Sequence, residues 1–96
     1  MSKLDQNFNR KMTIINALGL HARPAAMIAN IAVNAQSDVW LCKNGEQADA
    51  SSIIDILTLC ATKGSRIHIQ AKSFADAAVV DKIKSLFDDG FGELTE

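Results

Sequence analysis

The chain has 96 residues, with one Pro, two His, two Cys and no Tyr, and is 48 % hydrophobic, enough for one core in one domain. Ten basic residues against eleven acidic give a net charge of −1, and only three of the cations are Arg, so no electrostatic footprint for nucleic acid is present. No apolar run exceeds five residues, which excludes membrane insertion, and residues 1–11 lack the apolar stretch of a secretory leader. Cys42 and Cys60 match no metal-ligand spacing and read as reduced thiols of a cytoplasmic protein, packed as ordinary small apolar residues. A domain this short has little chain to wall off a deep pocket, so its function is expected on the surface.

Residues 1–10 read as a loose polar arm, residues 11–91 as the domain and residues 92–96 as a C-terminal tail. Lys11–Ile15 is a β-type run with Met12 and Ile14 on one face. After Gly19 and Pro24, the apolar residues Ile28, Ile31, Ala32 and Ala35 recur at helical spacing and predict an amphipathic helix. Asp38–Lys43 alternates Val39 and Leu41 against Trp40 and Cys42, and Asn44-Gly45 then predicts a tight hairpin into Glu46–Asp49. Ser51 or Ser52 can cap a second helix carrying Ile53, Ile54, Ile56, Leu57 and Leu59, which Gly64 is expected to end. Ile67, Ile69 and Ala71 alternate with Arg66, His68 and Gln70 in a further strand. Ser73 then caps a third helix that buries Val79, Val80, Ile83, Leu86 and Phe87 and stops near Gly90. The order β-α-β-β-α-β-α implies an α+β sandwich, with three helices on one face of a mainly antiparallel sheet and Trp40 and His68 on the open face without catalytic work.

Gly19-Leu20-His21-Ala22-Arg23-Pro24 is the segment where unusual residue types cluster with a mechanical logic. Pro24 suits the first turn of a helix, which places His21 near the N-cap. The unpaired N–H groups of that turn and the positive end of the helix dipole favour an anion there, phosphate above all. Arg23 adds a planar cationic fork, and the His21 imidazole is a nucleophile near neutral pH. Together they suit a transient phosphohistidine. The bland alternative is a capping or surface histidine. A metal site has only His68 as a second imidazole, and hydrolysis by a Ser-His-Asp triad has no nucleophile-elbow motif to support it.

Gly19-Leu20-His21-Ala22-Arg23-Pro24-Ala25-Ala26 resembles the active-site segment of the HPr family, the histidine-containing phosphocarriers of the bacterial phosphotransferase system. Ala50–Ile54 and Leu59–Gly64 resemble the second-helix segment of the same family and the turn after it. The resemblance runs from about Met12 to Phe91. It implies an open-faced β-sandwich of four antiparallel strands beneath three helices. It also implies that His21 takes a phosphoryl group on Nδ1 from phosphorylated enzyme I and passes it to a histidine of a IIA-type domain. Arg23 and the backbone at Ala22 and Pro24 would steady the phosphoryl oxygens, with no cofactor and no metal. Such a protein is an intermediate in phosphoryl transfer rather than a self-contained enzyme.

Leu86-Phe87-Asp88-Asp89-Gly90-Phe91 resembles the ending of the nitrogen-related branch, which shifts the expected role from sugar uptake to a regulatory relay. Ser52 matches the serine that a kinase modifies in Gram-positive members, although the reading preferred for it is an N-cap serine. Asp55 departs from the basic residue of many sugar-type carriers. Met27, Ile53, Ile54 and Leu57 are the candidate apolar patch for a transient partner, whereas Ile56 and Leu59 are assigned to the core. The alternatives are a sugar-transport carrier regulated at Ser52, and an HPr-like module that acts mainly by protein contact.

Overall fold

A computed structural model describes residues 8–94. Four strands and three helices follow in the order β1 (Phe8–Thr13), α1 (Ala22–Ala32), β2 (Val39–Lys43), β3 (Glu46–Asp49), α2 (Ile53–Thr58), β4 (Arg66–Ala71) and α3 (Ala77–Asp88). One sheet contains all four strands in the order β1-β4-β2-β3, with every neighbouring pair antiparallel. The helices lie on one face, as an α+β open-faced sandwich requires, and α1 packs against both α2 and α3.

The alternation of the strands decides which face is covered. Met12, Leu41, Ala48, Ile67 and Ile69 point beneath the helices and are buried. Ile28 of α1, Ile56 of α2 and Val80, Ile83 and Phe87 of α3 close the core from the other side. Each such large side chain contributes about 1.5–3 kcal/mol on burial. On the open face the register aligns Lys11, His68 and Cys42 in one row and Gln70 and Trp40 in the next. Asn44 and Gly45 both take positive φ, as the tight hairpin between β2 and β3 demands.

Several boundaries differ from the sequence reading. Strand β1 begins at Phe8, three residues ahead of Lys11, because backbone pairing with Ala71 continues beyond the clearly patterned stretch. The rest of the expected arm, residues 1–7, lies outside the described residues. The buried stripe of α1 is Pro24, Ala25, Ile28, Ala29 and Ala32, while Ile31 is only half-buried and Ala35 lies past the helix end. Small alanines fill the stripe because α1 sits between two other helices. Helix α2 ends at Thr58, well before Gly64: Cys60 adopts φ 49°, and this left-handed turn breaks the helix without a glycine. Cys60 is therefore exposed rather than packed as a small apolar residue, and Cys42 is half-buried on the open face. Ser73 caps a short 3-10 turn, Phe74–Asp76, which leads into α3.

Two loops deliver the remaining geometry. The segment between β1 and α1 is tied to the segment before β4 by three backbone bonds: Ile14 N–H to Ser65 O at 3.0 Å, Gly64 N–H to Ile14 O at 2.8 Å and Leu20 N–H to Ala61 O at 3.0 Å. After α3 the chain makes a tight turn in which Gly90, Phe91 and Gly92 all have positive φ. Phe91 is a non-glycine in a conformation that costs about 1–2 kcal/mol. Its ring is buried edge-on against Phe87, with centroids 4.9 Å apart, which offsets that cost. The turn sends residues 92–94 back across the start of α1.

Candidate functional site

His21 is the N-cap residue of α1: its backbone is extended, and its carbonyl accepts the first helical bond from Ala25 N–H at 3.0 Å. Its ring makes no capping bond, so the bland alternative of a side-chain cap is not what holds it. Ala22 and Arg23, the first two residues of the helix, have no residue four positions back inside it to accept their N–H groups, and Pro24 has none to offer. Pro24 instead packs into the core and fixes the direction of the helix start. The sequence thus folds into a partly exposed imidazole standing at the positive end of an eleven-residue helix.

The ring is held from the other side by Glu93. His21 Nε2 lies 2.8 Å from Glu93 Oε2, and the two side chains are 33 % and 18 % exposed. Arg23 Nη1 donates to the same Oε2 at 3.0 Å and to Phe91 O at 3.0 Å. Asn16, fully buried, donates from Nδ2 to Glu93 Oε1 at 3.0 Å and to Gly19 O at 2.9 Å. The Asn16 hydrogen bond, joined by the His21 and Arg23 contacts and opposed by partial burial, holds the Glu93 carboxyl below the ordinary carboxylate range. The site therefore contains an ionised carboxylate, a guanidinium, an imidazole and a helix start within one layer of hydrogen bonds.

The sequence patterns single out neither Asn16 nor Glu93, and they place Glu93 in the C-terminal tail. The separation of 77 residues between Asn16 and Glu93 hides their pairing. The only local signal was the run of glycines around Phe91, which marks a chain reversal after α3.

Ile53, Ile54 and Leu57 lie exposed on α2, with Ile54 at 74 %, while Met27 of α1 is half-buried against the core. Leu18, in the loop before His21, and Val33, after α1, add exposed apolar surface that the sequence reading did not include. Ile56 and Leu59 are buried in the core. Ser52 is the N-cap of α2, its Oγ accepting from Asp55 N–H at 3.2 Å; Ser51 instead hydrogen-bonds Asp49. His68 is exposed on the open sheet face, outside the layer of contacts around His21. Among the described residues no group of three or more His, Cys, Asp or Glu is arranged to hold a metal ion, and no helix is long and apolar enough to cross a membrane.

Comparison with known proteins bears on this arrangement. Residues 8–89 match the family model described as the PTS HPr component phosphorylation site. Phosphocarrier protein HPr of Cupriavidus necator is 38 % identical over 84 residues, covering 88 % of this chain and 94 % of that protein. Phosphocarrier protein NPr of Proteus mirabilis is 39 % identical over 85 residues, again covering 88 % and 94 %. Among solved structures, the crystal structure of HPr from Thermoanaerobacter tengcongensis superposes with a TM-score of 0.82 at 28 % identity, covering 92 % of this chain and 99 % of that one. With the fold, the match over most of the chain and the relatives in agreement, this chain belongs to the HPr family and is a phosphocarrier of the phosphotransferase system.

Proposed function

We infer that His21 is the residue that carries the phosphoryl group, received on Nδ1 from phosphorylated enzyme I and delivered to a histidine of a IIA-type protein in the cytoplasm. The observation that carries this reading is the placement of a partly exposed His21 ring at the start of α1, with Nε2 engaged by Glu93 and the helix amides alongside. An incoming phosphoryl group meets the N–H groups of Ala22 and Arg23 and the helix dipole, which stabilise its oxygens without reorganisation. The Arg23 side chain is 57 % exposed, so its guanidinium can turn from Glu93 and Phe91 O to the phosphoryl oxygens. The open site suits a carrier, because each partner supplies the rest of the transition-state environment and then leaves. The exposed faces of Ile54, Leu57, Ile53 and Leu18 form the apolar ground on which those partners dock, with Met27 at its margin.

The relay is read as the nitrogen-type, regulatory one. The ending Leu86–Phe91 and the 39 % identity to the Proteus mirabilis NPr support this branch. The similar identity to the Cupriavidus necator HPr favours the sugar-type reading as the second candidate. In that second reading Ser52 is a regulatory phosphorylation site. Its place at the start of α2 tolerates a phosphate electrostatically, although its hydroxyl already serves as the cap.

The test is incubation with enzyme I and labelled phosphoenolpyruvate. Wild type is expected to take acid-labile, base-stable label, and His21→Ala none; label retained in His21→Ala refutes the assignment. Arg23→Glu is expected to slow transfer by on the order of 10²-fold while leaving the domain folded. Running the assay with sugar-type and nitrogen-type enzyme I separates the branches, since equal or better use of the sugar-type donor counts against the nitrogen-type role.

A further inference from the structure

The two oxygens of Glu93 have separate duties. Oε1 is held by Asn16 Nδ2 at 3.0 Å, and Oε2 faces His21 Nε2 at 2.8 Å. Both partners of the Asn16 amide nitrogen, Glu93 Oε1 and Gly19 O, are acceptors, so the buried amide must present its NH2 group to them. In that orientation Asn16 Oδ1 is buried without a partner, a cost that an apolar residue would not carry. The amide is thus committed to aiming the carboxylate. An ionised carboxylate only accepts hydrogen bonds, so His21 Nε2 must hold the hydrogen of the neutral imidazole, leaving the lone pair on Nδ1.

Resting on the reading of His21 as the phosphoryl carrier, we propose that Glu93, aimed by Asn16, is the positioning residue that selects Nδ1 as the phosphorylated nitrogen and stabilises the charge the ring then gains. In the accepting step the Nδ1 lone pair forms the new N–P bond. The bond between phosphorus and the donor histidine breaks, and its electron pair stays with the donor nitrogen. The proton on Nε2 does not move. The ring becomes a phosphorylated imidazolium whose positive charge faces Glu93 across the 2.8 Å contact. In the delivering step the P–N pair returns to Nδ1, the ring is again neutral with hydrogen on Nε2, and no proton has been exchanged with water. One carboxylate therefore serves both directions of the relay. Arg23 is free to follow the phosphoryl group, because Asn16 keeps Glu93 in place when the guanidinium departs.

A purely structural role for Glu93, pinning the turn after α3, makes the opposite forecast for two simple substitutions. Glu93→Gln keeps the shape and most hydrogen bonds, so a tether would be hurt less by it than by Glu93→Ala. Under the proposal the order inverts. Asn16 can only donate, so the new amide turns its oxygen to Asn16 and its NH2 group to His21. That forces the hydrogen onto Nδ1 and removes the attacking lone pair. The nearest general precedent is a triad carboxylate changed to an amide, which leaves the wrong histidine tautomer and a large rate loss.

The experiment combines imidazole 15N spectra of the unphosphorylated full chain with the enzyme I assay, for wild type, Glu93→Gln, Glu93→Ala and Asn16→Asp. Expected is the Nε2–H tautomer in wild type and Nδ1–H in Glu93→Gln. Phosphorylation of Glu93→Gln is expected to slow by on the order of 10²-fold or more, beyond the loss in Glu93→Ala. Asn16→Asp repels the carboxylate while leaving it in the chain, and is expected to match Glu93→Ala. An unchanged tautomer in Glu93→Gln, or a rate for it between those of wild type and Glu93→Ala, overturns the proposal. Wild type that takes no label on His21 overturns the carrier assignment itself, a different failure seen in a different lane.

Discussion

Gly19→Ala is expected to damage the loop that carries His21 far more than the same change at another left-handed glycine. Gly19 has φ 66°, and a Cβ built there would stand 2.4 Å from Ala61 O and 2.9 Å from Thr62 Cα. Both obstacles are backbone, so no side-chain rotation relieves them. The left-handed conformation alone costs alanine about 1–2 kcal/mol. Relief of the overlap must push the two loops apart at the neighbouring Leu20 N–H to Ala61 O bond of 3.0 Å, whose loss adds about 0.5–1.5 kcal/mol, with further cost from the displaced packing of Leu20. The sum is about 2–4 kcal/mol, a large part of the roughly 5–15 kcal/mol that holds a domain of this size together. Such a loss lowers Tm by about 10–30 °C. Gly64→Ala is the control: φ is 92°, nothing lies within 4 Å of its Cβ, and only the conformational cost applies. Urea and thermal unfolding of both variants measure the difference, and the enzyme I assay below the melting range reports displacement of His21, two residues on. Equal destabilisation of Gly19→Ala and Gly64→Ala would refute the argument from close approach.

Asp76 is a buried carboxylate whose two oxygens accept from Gln36 N–H at 2.8 Å and Ser37 N–H at 2.9 Å, tying the loop after α1 to the start of α3. Asp76→Ala should cost about 2–4 kcal/mol in urea unfolding while phosphorylation of the folded fraction is unchanged. Ile54→Glu should leave stability within about 0.5 kcal/mol, because the side chain is exposed, yet raise KM for phosphorylated enzyme I several-fold. Glu93 carries a depressed folded-state pKa, so its contribution to stability is fully present above the ordinary carboxylate value of 4.5 and is lost as pH falls through the lower folded value. Stability measured against pH should therefore show wild type and Glu93→Gln converging as the solution is acidified; a gap that stays constant down to pH 2 would contradict the assignment of that shift.

The local patterns were sufficient for the architecture. Alternation in Arg66–Ala71, the Asn44-Gly45 turn and the Ser52 cap depend on neighbours within a few residues and appear in the structure as read, whereas Ser73 caps the 3-10 turn ahead of α3 rather than α3 itself. The same holds for the placement of His21 and Arg23 at a helix start, since Pro24 and the apolar stripe behind it are local signals. Boundaries moved where a non-glycine took the left-handed conformation, as Cys60 does after α2, because nothing in its side chain announces it. The carboxylate beside His21, unlike the helix start and Arg23, belongs to the tertiary structure alone. Asn16 and Glu93 meet only after β1 pairs with β4 and the Gly90–Gly92 turn folds Phe91 into the core. Small size and balanced charge, taken from the sequence alone, pointed to an exposed site built from few groups. Long-range packing then added the carboxylate that gives the two nitrogens of one imidazole different chemistry.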